Sequence, residues 1–168
     1  NETVGSLSGT GTVAMGGSTL ATGIRQSSSF AGTLTGGGTL QVSANTLTLT
    51  SGASLDGNGA LRVEAGATLS LGTDGTVGSA TIGGTLAGSA TLTAANVNLT
   101  GGTVTANLGA GALHSSGPSR LDGQAAVGSV SVDQDTLTLG SSGRFTADPA
   151  VSVAKDASLA LGGNESFS

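Results

Sequence analysis

The chain has no cysteine, no tryptophan and no tyrosine, and only three phenylalanines and two prolines in 168 residues. Without cysteine there is no disulfide framework. That leaves the compartment open, and it suits a chain that crosses an oxidising space unfolded. The scarcity of aromatics removes the stacking platforms on which sugars and bases are held. Charge is scarce too: 9% of residues are charged, against roughly 25% in ordinary domains. The five cations, Arg25, Arg62, Arg120, Arg144 and Lys155, are scattered through a chain of net charge −5, so no basic patch exists and nucleic acid is not an expected partner. No run of about 18 apolar residues is present to span a membrane as a helix. No basic stretch followed by an apolar one opens the chain in the manner of a signal peptide. The i, i+3, i+4, i+7 stripe of an amphipathic helix is missing throughout.

What the chain does have is glycine, 31 residues of it, with abundant serine and threonine. Such a composition also describes a disordered polar tract, and glycine without a period of three excludes collagen. Order decides between these readings. From Leu40 to Leu71, apolar residues come in pairs with one polar residue between: Leu40/Val42, Leu47/Leu49, Leu61/Val63 and Leu69/Leu71, with Leu55 alone. Alternation over three residues puts the two apolar side chains on one face of a short strand. Turn formers such as Asp-Gly-Asn-Gly separate the pairs. Leu40 and Leu61 are 21 residues apart, and Leu47 and Leu69 are 22 apart. The expected fold is therefore all-β: a right-handed parallel β-helix of about seven coils, each of roughly 21–22 residues with three short strands.

The same pattern returns downstream. Val130/Val132, Leu137/Leu139, Phe145, Val151/Val153 and Leu159/Leu161 each lie 90 positions after their counterparts, without a gap. Residues 37–78 and 127–168 thus form an internal repeat, in which Phe145 and Phe167 should stack one coil apart. Val4/Leu7, Val13/Met15 and Leu20 are inward candidates at the start, and Val77, Ile82, Leu86, Leu92, Val97/Leu99 and Val104 in the middle. Two stretches break the rhythm and are expected as side loops: 25–32, and 106–126, where a distorted coil is the alternative. With Asn1 at the start and no polar cap at the end, residues 1–168 read as one fragment of a longer solenoid.

The stretches NETVGSLSGTGTV, GSTLATG and FAGTLTGGGTL resemble the passenger-associated transport repeat of bacterial autotransporters. GTLAGSATLTAANVNLTGGTV and SVDQDTLTLGSSG resemble the degenerate coils of the same passengers, and haemagglutinin-like exoproteins have similar coils. The resemblance implies a secreted or surface-exposed protein of a Gram-negative bacterium, anchored through a C-terminal outer-membrane barrel outside this sequence. It implies adhesion, autoaggregation or display, with self-association or a host-surface or glycan receptor as partner.

Candidate chemistry is sparse. His114, Ser115 or Ser116 and Asp122 contain the residue types of a catalytic triad but no nucleophile elbow. Polysaccharide lyases and hydrolases on β-helices use clustered carboxylates, for which Asp133, Asp135 and Asp156, or Asp56 near Asp74, are the candidates. Calcium would be sought at Asp56-Gly57-Asn58-Gly59 or Asp133-Gln134-Asp135, neither of which completes a known loop. Aspartate and asparagine also occur at turns simply because they tolerate turn geometry. The outward Thr46/Thr48/Thr50 and Thr136/Thr138 could order water as flat threonine arrays do, or serve only β-propensity. Asn1-Glu2-Thr3, Asn98-Leu99-Thr100 and Asn164-Glu165-Ser166 match the N-glycosylation triplet. On balance no catalytic, cofactor-binding or metal residue is assigned. The expected role is structural display with adhesion and secretion-coupled folding, and the alternative is a polysaccharide-binding or polysaccharide-cleaving β-helix.

Overall fold

The computed structural model of the chain describes residues 1–163. It is a parallel β-solenoid of about eight turns without a helix. The unit is the alternating tetrapeptide. In Thr46–Leu49 the two leucines are fully buried and the two threonines half-buried, and Thr39–Val42 and Thr68–Leu71 repeat the pattern. Each strand is too short to stand alone and gives its N–H and C=O groups to the strands one coil before and after. Every buried leucine or valine adds on the order of 1.5–3 kcal/mol.

Three such strands per coil build three walls. Wall I contains Thr19–Thr22, Thr39–Val42, Ala112–Ser115, Ser129–Val132 and Ala150–Val153. Wall II stacks Ser28–Phe30, Thr46–Leu49, Thr68–Leu71, Thr85–Gly88, Thr103–Val104, Ser119–Leu121, Thr136–Leu139 and Ser158–Leu161 in that order. Wall III begins with Thr12–Ala14 and Thr33–Thr35 and continues through Asn107–Leu108, Gln124–Ala125 and Arg144–Phe145. The long strands Gly75–Ile82 and Thr91–Leu99 run from wall III into wall I. They bend where the alternation slips by one: Gly78 and Ser79 both face outward, as do Ala95 and Asn96.

Coil length is not constant. Along wall I the partners run Glu2, Leu20, Leu40, Leu61, Ala80, Val97, Leu113, Val130 and Val151. The steps are 18, 20, 21, 19, 17, 16, 17 and 21 residues. Eight turns therefore replace the expected seven, because the central coils are shorter than 21–22 residues. Their corners between walls I and II are cut to two or three residues, in one case a glycine pair. Where Glu64-Ala65-Gly66-Ala67 rounds one corner, Gly83-Gly84 rounds the next. A Cβ at Gly84 would lie 2.2 Å from the Glu64 carbonyl oxygen, and one at Gly102 2.5 Å from that of Ile82. Only glycine lets the backbones approach so closely.

The contraction explains the irregular spacing of residues 80–126. The expected side loop at 106–126 is a regular part of the stack. Asn107–Leu108, Ala112–Ser115, Ser119–Leu121 and Gln124–Ala125 all pair with the coils on either side. At 25–32, only the start is a turn: Ser28–Phe30 pairs with Leu47–Leu49, and Phe30 is buried. The 90-residue repeat corresponds to five turns. On wall I it holds the column, from Leu40 to Val130. On wall II the column of Leu47 passes through Leu69, Leu86, Val104 and Leu121 to Leu139, not Leu137, a slip of two residues.

The inward candidates pack as expected. Leu7, Met15 and Leu20 are buried, Val4 and Val13 lean on the core, and Val77, Ile82, Leu86, Leu92, Val97, Leu99 and Val104 are buried. Phe145 pairs with Ala125 and is half-buried; its expected stacking partner, Phe167, lies outside the described residues. In the last described coil, Val151, Val153 and Leu161 are 36–47% exposed.

Candidate functional site

Most of the polar residues singled out above serve the corners. At the turn leading into wall III, the carboxylate of Asp56 accepts from the Thr76 amide one coil on (3.2 Å), and that of Asp74 accepts from the Thr91 amide (2.7 Å). Asn107 accepts from the Gln124 amide at 3.1 Å. Asp56 and Asp74 thus stand one coil apart, as their spacing predicts, each engaged with an amide that the stack leaves open there. Asn45, Asp135 and Asp156 take left-handed backbone, φ 54°, 58° and 67°, at the corner between walls I and II. The Asn45 and Asp135 carbonyls accept from Thr68 and Ser158 of the next coil, and the Asn45 side-chain amide donates to Gly23. Asp133 accepts from the Ser131 hydroxyl. Asn1 accepts from the Thr19 amide (3.0 Å). Among the described residues, no three His, Asp or Glu side chains converge as metal ligands.

The triad residues do not meet. Ser115 faces the core, where its hydroxyl donates to the Gly117 carbonyl at 3.3 Å, while His114 faces outward from the same strand. Ser116 donates to the Leu99 carbonyl at 3.5 Å. Asp122 is held on wall II by Arg120, whose Nε and Nη2 each donate to one carboxylate oxygen at 2.7 Å. The hydrogen bond, and then the charge, of Asp122 raise the Arg120 guanidinium above its ordinary value. For a group raised in the folded state, the associated stability is present below the unfolded value and lost as pH rises through the folded one; both lie far above neutrality. The outward threonines of wall II form the column Thr46, Thr68, Thr85, Thr103, which Arg120 interrupts before Thr138.

One surface uses its polar residues differently. On the outer face of wall I, in the contracted coils, lies a shallow open trough of about 610 Å³. Ser79 and Asn96 stand in one outward column. Thr81, Asn98, His114 and Ser131 stand in the next. Thr100, Ser116 and Asp133 form the rim beside the corner. The sequence pattern shows Asn98 only as part of a glycosylation triplet, and His114 only as a would-be triad member. The overlooked signal was Ala-Asn-Val-Asn-Leu: two asparagines at alternate positions inside a strand, where asparagine is disfavoured.

Comparison of the chain with protein-family models, curated proteins and solved structures finds no match.

Proposed function

We propose that this chain is a structural, rod-forming segment of a secreted or surface-displayed bacterial passenger of the autotransporter type. Its role is to hold adhesive or self-associating surfaces away from the outer membrane, to which the full-length protein is anchored by a C-terminal barrel. The observation that carries this reading is continuity. Wall I keeps its coil-to-coil register from Glu2 to Val153, and the stretches that break the rhythm are absorbed into the stack. Eight turns at about 4.8 Å each make a rod roughly 38 Å long, stiffened by hydrogen bonds between coils. In such a solenoid each coil is stabilised by its neighbours, so a chain emerging from a pore folds coil upon coil. That gives secretion a folding drive.

The test is expression of the full-length protein on a non-adherent, non-clumping cell, with coils removed as whole turns (80–96, for example) so that register is preserved. Surface display should persist while adhesion or clumping falls. Unchanged clumping after removal of several coils would sink the adhesive role. Polar substitutions at Leu69 and Leu71 should lower the yield of secreted passenger, and normal yields would count against secretion-coupled folding. Of the alternative, polysaccharide binding or cleavage, the binding part is favoured by the wall I trough.

A further inference from the structure

We propose that the outer face of wall I, centred on Asn96, Asn98 and His114, is a binding site for a neutral, hydroxyl-rich glycan. The starting point is a contrast among the aspartates and asparagines. Asp56, Asp74, Asn45 and Asn107 each bond a backbone group of a neighbouring coil. Asn96 and Asn98 sit in mid-strand, facing outward, and the structure gives their side chains no hydrogen bond within the described protein; the same holds for the His114 ring. Asparagine is among the poorer strand formers, and these two neither round a corner nor cap one. Yet the pairing of Asn98 with His114 sets three such side chains together on adjoining coils.

Their chemistry fits vicinal hydroxyls. Each amide offers two donors and an acceptor, and the imidazole and the flanking Ser79, Thr81 and Thr100 offer both functions, matching a sugar hydroxyl that donates and accepts at once. Strand geometry arranges them on a grid, about 4.8 Å between coils and about 6.6 Å between alternate residues. Other ligands fit less well. The strands are paired on both sides here, so no edge is open to an added peptide strand. The trough holds no lysine or arginine to recognise a phosphate or sulfate, and Asp133 on its rim repels anions. With no aromatic platform, a single site binds weakly, and several rods on one surface must act together.

This site supplies the adhesive role with its ligand class and rests on that reading only for its setting, because binding is measured on the isolated chain. The 168-residue protein is incubated with insoluble neutral polysaccharides (β-glucan, mannan, galactan and chitin), with heparin as an anionic control. Retention on at least one neutral polymer and none on heparin is expected. The variants Asn96→Thr and Asn98→Thr put a better strand former at each position. Together they should lower retention on the order of tenfold while the melting temperature stays level or rises, which separates loss of ligand contacts from loss of fold. His114→Ala should weaken retention further. The proposal is overturned if the wild-type protein is retained by no neutral polymer, if heparin alone retains it, or if the threonine variants bind as well as the wild type. A wild-type protein that binds nothing but self-associates through this face, with dimers lost in the variants, would equally overturn it and leave the display role standing.

Discussion

A single hydroxyl marks how finely the interior is matched. Thr22 points inward in the column that continues as Val42, Val63, Ile82 and Leu99, and its Oγ1 is buried without a hydrogen-bond partner. Ser115, farther along the same column, is buried too but reaches the Gly117 carbonyl. A buried hydroxyl left unpaired costs about 1–3 kcal/mol. Thr22→Val replaces it with an isosteric methyl group, the residue its neighbour already carries. The variant should be more stable by about 1 kcal/mol, seen as a higher denaturation midpoint in urea; a lower midpoint would mean that the hydroxyl has a partner in solution. In sequence, alternation puts Thr22 on the face of Leu20, but a threonine there gives no apolar signal of burial. The column it stands in supplies that signal.

Within one strand, position in the stack decides what a residue is worth. Leu69 lies between Leu47 and Leu86 and is fully buried. Among the described residues Val151 pairs only with Val130, and it is 36% exposed. Leu69→Ala should cost about 2–5 kcal/mol through lost burial and an unfilled cavity, whereas Val151→Ala should cost less than about 1 kcal/mol. Parallel chemical denaturation of the two variants checks this, and equal losses would contradict the difference in burial. Strand positions were legible because Leu-x-Leu and Val-x-Val alternation reports burial directly. Coil length in the middle was not, because there the corners shrink to Gly83-Gly84 and Thr100-Gly101-Gly102. A glycine pair marks a turn in sequence without saying how near the preceding coil passes. The stretch 106–126, expected as a side loop or a distorted coil, joins the stack for the same reason: its apolar stations, Leu108, Leu113 and Leu121, fit a 16–17-residue coil and not one of 21–22.

In the isolated 168-residue chain, stability should grade with distance from the two ends of the stack. Contacts join each coil to its neighbours alone, so opening starts where a neighbour is missing. Native-state hydrogen exchange should find the slowest amides in the contracted coils, at Ala80–Ile82, Val97–Leu99 and Leu113–Ser115, and the fastest in Glu2–Thr3 and Ala150–Val153. Uniform protection along the rod would mean that it opens as one cooperative unit. The contracted coils also carry the Asn96, Asn98 and His114 surface, so the proposed glycan face lies on the part of the rod expected to open least. A rigid support keeps such hydroxyl and amide groups in fixed register.

The sequence by itself determined that the chain is β, that its strands are short and parallel, and that three of them make a coil. Alternation fixes which side chains point inward, and the 90-residue recurrence fixes that the motif repeats. The tertiary structure alone decided the number of turns, the two-residue slip on wall II and the absorption of 106–126 into the stack. It alone also brought Asn96, Asn98 and His114 together. These depend on how many residues each corner consumes, and that number is set by how closely one backbone can pass another, a distance between coils that no local pattern of residues records.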